Sequence, residues 1–174
     1  MAAVIAGNEG GASAARRVAV VLFNLGGPDS LAAVQPFLFN LFNDAAIIGA
    51  PQPIRWCLAT LISNRRAGVA REIYAQIGGA SPLLEGTRAQ AEALEAALGD
   101  VGEVRVFIAM RYWHPTSEET VLEVKAYGAD EVVLLPLYPQ FSTTTTASSL
   151  AAWRGTARRH GLSVPMRALC CYAD

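Results

Sequence analysis

Four short apolar runs punctuate the chain, at residues 18–23, 104–109, 131–135 and 165–172. Each has the length of a strand and little polar alternation, the pattern of a parallel strand buried on both faces. Between and before them lie helical periodicities over 83–98, 116–127 and 147–160, with Gly99, Gly128 and Gly161 just beyond as candidate C-caps. In the second of these, Val121, Leu122, Val124 and Tyr127 lie on or near the inner face. The alternation β, α, β, α, β, α, β predicts an α/β fold: a parallel four-stranded sheet with right-handed crossovers and helices on both faces.

One connection breaks the rhythm. About 80 residues separate the first strand from the second, where roughly 30 suffice for a βαβ unit. The excess is a helical insertion rich in large apolar groups, among them Phe37, Phe39, Phe42, Ile47, Ile54, Trp56, Leu58 and Leu61. So many beyond the basic sheet suggest a wall for a hydrophobic ligand or a lip at a membrane surface. An additional pair of core helices is the alternative.

The loops at the carboxyl edge of the sheet carry the candidate chemistry, because ligands of open α/β sheets bind there. After the first strand comes Asn24-Leu-Gly-Gly-Pro-Asp-Ser30, with glycines for a tight turn and Asp29 or Ser30 available to cap the next helix. After the second comes Arg111-Tyr-Trp-His-Pro115, followed by Thr116 and Glu119 at capping-box spacing. These residues read as a site, or as an Arg paired with a nearby carboxylate while the rings pack and His114 caps the turn. After the third strand, Pro136 to Ser149 is rich in hydroxyls and opens a helix. Its groups can cradle an anion such as a phosphate or flavin mononucleotide, or serve only as a cap.

Length and composition narrow the classes. A chain of 174 residues with 52% apolar content and a net charge of −1 fits one globular domain and lacks the basic footprint of nucleic-acid binding. Residues 1–17 are read as a flexible tail and 18–174 as the folded lobe, with no signal peptide or membrane span. Cys57, Cys170 and Cys171 show no zinc spacing and suit a reducing compartment, hence the cytoplasm. Adjacent Cys170 and Cys171 would face opposite sides of a strand. A lone Lys125 beside thirteen Arg reads as compositional bias.

Four segments, in this order, resemble the amino-terminal half of the ferrochelatases, which insert ferrous iron into a porphyrin in haem synthesis. They are Leu22-Phe-Asn-Leu-Gly-Gly-Pro-Asp29, Tyr74-Ala-Gln-Ile-Gly-Gly-Ala-Ser-Pro82, Met110-Arg-Tyr-Trp-His-Pro115 and Tyr138-Pro-Gln-Phe-Ser-Thr-Thr-Thr145. The resemblance runs from about Val18 to Tyr172 and implies one chelatase-like lobe of a two-lobed enzyme. By matching positions it implies that Leu25 lies near the metal, that Arg66, Tyr74 and Ser81 contact the macrocycle or its propionates, and that Arg111, Tyr112 and Thr144 shape the deep pocket. The insertion would form a lip for peripheral membrane contact.

The same resemblance assigns proton removal to a His and a Glu in the other lobe, so no catalytic residue is expected in this chain and it is expected to be inactive alone. Ferrous iron is the substrate, and no cofactor is required. Val69 stands where many relatives carry Lys, which puts one propionate contact in doubt. Thr143 stands where some carry an iron–sulfur Cys, so that version of the cluster is not supported; a cluster held by other residues is left open. Two further readings are a single-lobe tetrapyrrole chelatase that pairs with itself and a flavodoxin-like phosphate-binding module.

Overall fold

The computed structural model describes residues 16–100 and 102–169. Of the expected tail at 1–17, residues 1–15 lie outside them, as do the pair Cys170 and Cys171 and the last part of the fourth apolar run; Arg16 and Arg17 belong to the fold, Arg16 pairing with Glu131 and Arg17 opening the first strand. Strands β1 (Arg17–Asn24), β2 (Glu103–Met110), β3 (Glu131–Pro136) and β4 (Met166–Ala168) alternate with helices α3 (Leu83–Ala97), α4 (Ser117–Tyr127) and α5 (Ser148–Arg159), while α1 (Val34–Phe42) and α2 (Gln52–Gln76) form the insertion. All strand pairs are parallel, in the order β2-β1-β3-β4. The expected α/β class holds.

β1 is central because it is apolar on both sides. Ala19, Val21 and Phe23 face α4 and α5, packing with Val121, Val124, Leu150 and Trp153; Phe23 and Trp153 meet edge to face at 5.6 Å. Val20 and Leu22 face α3 through Ala91 and Leu94. The chain therefore runs from β1 outward to β2 through α3 on one face, then back across to β3 and on to β4 through α4 and α5 on the other. That reversal makes the carboxyl ends of β1 and β3 a topological switch point.

Local signals set most element ends. Thr116 Oγ1 accepts from the Glu119 N–H and the Glu119 carboxylate accepts from the Thr116 N–H, completing the capping box. Gly128 closes α4 in the left-handed conformation, φ 70°. Three expectations need correction. Gly99 does not adopt a left-handed cap; α3 ends at Ala97 and is capped by Leu98, whose N–H reaches back to Leu94 and Glu95. Leu122 is exposed, since the neighbouring Val121 and Val124 already fill the inner stripe. β1 begins at Arg17, where the Arg17 N–H donates to the Asp130 carboxylate, one residue before the boundary expected at Val18.

The insertion is a helix pair joined by small residues. Ala59, Ser63 and Ala67 repeat every fourth residue along α2 and are buried, and Gln35 of α1 donates to Ser63 Oγ at 3.1 Å. Val34 and Phe37 of α1 are also buried, whereas Ile54, Trp56, Leu58 and Leu61 stay exposed. The insertion thus combines a small core of its own with an apolar outer surface. No helix of the described residues is long and apolar enough to cross a membrane.

Candidate functional site at the carboxyl edge of the sheet

Strand pairing continues past the formal ends of β1 and β2. The Arg111 N–H donates to the Asn24 carbonyl at 2.9 Å and the Tyr112 N–H to the Leu25 carbonyl at 3.0 Å. Leu25, Arg111 and Tyr112 are thereby fixed side by side at the carboxyl ends of β1 and β2, next to the switch point. The turn after β1 is close-packed on two sides. Gly26 has φ +86°, and a Cβ there would lie 3.1 Å from the Trp113 nitrogen; a Cβ on Gly27 would lie 2.3 Å from Ser81 Oγ. Ser81 is held in that contact by its N–H, which donates to the Pro28 carbonyl at 2.8 Å.

The centre of the arrangement is a residue that pattern reading passed over. Asp44, in the turn between α1 and α2, accepts at Oδ2 from Arg111 Nη2 (2.6 Å), Tyr112 Oη (2.8 Å) and Ser148 Oγ (3.0 Å). Its Oδ1 takes the Ala46 N–H at 2.9 Å. Arg111 Nε donates to Ser148 Oγ at 2.8 Å, and Asn40 donates to the Tyr112 carbonyl at 3.1 Å. Insertion, β2 loop and α5 start meet in one network. The only local sign of Asp44 was a polar turn pair, Asn43-Asp44, ending an apolar run; nothing local marks a partner 67 residues away. Ser148 lies inside the hydroxyl-rich run, where no local feature sets it apart from its neighbours.

The electrostatics follow from that geometry. Burial raises the Asp44 pKa, but the Ala46 N–H, the Tyr112 hydroxyl, the Arg111 guanidinium and Ser148 outweigh it and hold the carboxyl below its ordinary value. The Tyr112 phenol is pushed far up, first by burial and then by its bond to the Asp44 carboxylate. Tyr112 therefore stays a neutral donor, and Asp44, saturated with donors, is a poor base. Arg111 also lies over the Tyr112 ring, 5.0 Å from its centre. The reading of an Arg paired with a nearby carboxylate is thus correct for Arg111, whose side chain still keeps 23% of its surface exposed.

The other expected residues fall around this network. Arg66 is exposed on α2, 6.0 Å from the Phe42 ring, and lines an apolar groove of about 410 Å³ with Leu38, Arg65, Val69 and Ile73. Tyr74 is in the last turn of α2, its phenol pKa raised by partial burial. Neither makes a hydrogen bond to the Asp44 cluster among the described residues. Thr144 Oγ1 lies 2.9 Å from Ser142 Oγ in a π-helical turn, Thr143–Ala147, that runs into α5. His114 sits outside the network, with Nδ1 2.9 Å from Glu119, so it joins the α4 cap, in line with the alternative that His114 caps the turn. Among the described residues no group of three or more His, Cys, Asp or Glu is placed to hold a metal.

The ferrochelatase family model matches residues 17–174. The chain belongs to the ferrochelatase family. It is 61% identical over 164 residues to a ferrochelatase of Hyphomonas neptunium, covering 90% of this chain and 44% of that protein. It is 60% identical over 150 residues to one of Caulobacter vibrioides, covering 84% and 43%. A ferrochelatase of Wolbachia sp. subsp. Drosophila simulans is 54% identical over 158 residues, covering 90% and 50%. The chain spans about half the length of the curated ferrochelatases it matches. The ordered motifs that suggested the family are those that build this edge.

Proposed function

We propose that this chain is the porphyrin-holding lobe of a ferrochelatase and that the whole enzyme inserts ferrous iron into protoporphyrin IX or coproporphyrin III. The observation that carries the reading is Arg111, locked at the carboxyl edge of the sheet yet partly exposed, beside an insertion with an apolar outer surface. A porphyrin is flat and apolar with carboxylates at one edge. Apolar walls favour its burial, and guanidinium groups match its carboxylates.

In this reading Leu25 faces the macrocycle near the incoming metal, and Arg111 and Tyr112 line the deep end with Thr144. Arg66, Tyr74 and Ser81 hold the macrocycle or its propionates. Iron insertion exchanges one Fe²⁺ for two pyrrole protons, and distorting the ring to expose its nitrogens draws on remote binding contacts. The residues here bind, orient and exclude water. The protons leave through a His and a Glu of a second lobe, so the chain by itself binds without inserting. The exposed stripe of Ile54, Leu58 and Leu61 suits peripheral contact with the cytoplasmic face of a membrane.

The phosphate-module reading is weakened by what the hydroxyls already do. Ser148 bonds Asp44 and Arg111, Ser149 bonds Tyr138, and a carboxylate stands where a phosphate would approach. The decisive experiment titrates the purified chain with protoporphyrin IX, follows absorbance and fluorescence, and then adds ferrous iron without oxygen. Binding without insertion is expected. Insertion by the chain alone would overturn the division of labour between lobes, and a folded whole enzyme that binds no porphyrin would overturn the function.

A further inference from the structure

We infer that Asp44 is the positioning residue of this site: its carboxylate holds Arg111 and Tyr112 in one orientation and ties the apolar insertion to them. The inference rests on the porphyrin-binding reading and assigns to Asp44 a role which that reading does not contain.

Three observations carry it. Asp44 Oδ2 gathers donors from two other segments of the chain, the β2 loop and the start of α5. The Asp44 side chain is only 9% exposed, so it does not itself meet a large ligand, whereas the more exposed Arg111 can. Arg111 uses Nε and Nη2 on Ser148 and Asp44, and Nη1 has no hydrogen-bond partner among the described residues. The guanidinium is therefore clamped along one edge and presents the other, a pre-organised donor with little rotamer freedom left to lose.

Charge sharpens the assignment. Asp44 neutralises Arg111 within the pair, so Arg111 acts through direction more than through net charge. The propionates, which need net positive charge, are then better served by exposed Arg66. Because Asp44 itself lies in the turn joining α1 to α2, loosening it also frees the insertion relative to the sheet edge. Porphyrin affinity should fall before the fold does.

The test uses the full-length enzyme with protoporphyrin IX, comparing wild type, Asp44→Asn, Arg111→Ala and the double variant by fluorescence titration and thermal melting. Asp44→Asn is expected to weaken binding about tenfold while the melting transition stays cooperative. Arg111→Ala is expected to cost less in the Asp44→Asn background than alone, since the orientation it would remove is already lost. Wild-type affinity in Asp44→Asn, or losses that simply multiply in the double variant, would overturn the assignment.

Should Asp44→Asn fail to fold, Ser148→Ala leaves the carboxylate in place and is expected to weaken binding about threefold; unchanged affinity there counts against the proposal. If wild type itself binds no porphyrin, the functional reading fails, and the clamp is decided separately by tyrosinate absorbance. Earlier ionisation of Tyr112 in Asp44→Asn supports the clamp, and an unchanged titration overturns it.

Discussion

Asp44 changes what each of its partners can do. Arg111→Ala leaves a largely buried carboxylate with its Tyr112, Ser148 and Ala46 donors, so the expected stability loss is modest, about 1–3 kcal/mol. Iron insertion by the whole enzyme should fall further, about a hundredfold, if Arg111 orients the macrocycle. Parallel assays of melting and turnover separate the two, and equal losses would make Arg111 structural only. The carboxylate also predicts a pH dependence. Its folded-state pKa lies below that of the unfolded chain, so its contribution to stability is full above the ordinary Asp value and is lost as pH falls through the lowered folded value. Chemical denaturation across acidic pH should show wild type converging on Asp44→Asn only in that range. A gap that persists unchanged into strong acid would mean the carboxylate is not stabilised as described.

Among the elements, the insertion is divided by burial. Phe37 and Trp56 belong to the same apolar run of sequence, yet Phe37 is 6% exposed and Trp56 is 52% exposed. Phe37→Asp should cost about 3 kcal/mol or more by placing an unpaired charge in the small core between helices. Trp56→Asp should leave the melting temperature nearly unchanged and impair porphyrin loading or binding to anionic vesicles, which a flotation assay reads directly. Normal loading by folded Trp56→Asp would remove the lip from the functional account. The turn after β1 yields a third contrast, because Gly27 is required for space and not for a positive φ. Gly27→Ala should lose about 1–3 kcal/mol in a denaturant titration as Ser81 is pushed from its place.

For the molecule as a whole, the parallel order β2-β1-β3-β4 brings the ends of β1, β2 and β3 to one edge, and the insertion returns to that edge through Asp44. The four strands and three sheet-flanking helices were legible because their signals are local: apolar runs of strand length, a capping box at Thr116, and Gly128 at the end of α4. The family was legible because ordered motifs lie in the loops that form the edge. Less legible were the element ends without local punctuation, such as α3, which stops at Ala97 without a left-handed turn at Gly99, and the exposed Leu122 on a helix whose inner stripe was already filled.

The sequence by itself determined the α/β class, the caps at Thr116, Gly128 and Gly161 and the set of edge loops, since each depends on periodicity or on residues within one turn of each other. Only the tertiary structure decided which apolar residues of the insertion are core and which are surface, and which carboxylate Arg111 would meet. Those outcomes depend on contacts between residues far apart in the chain, such as Asp44 with Arg111 and Ser148, and no local pattern encodes a distance across the fold.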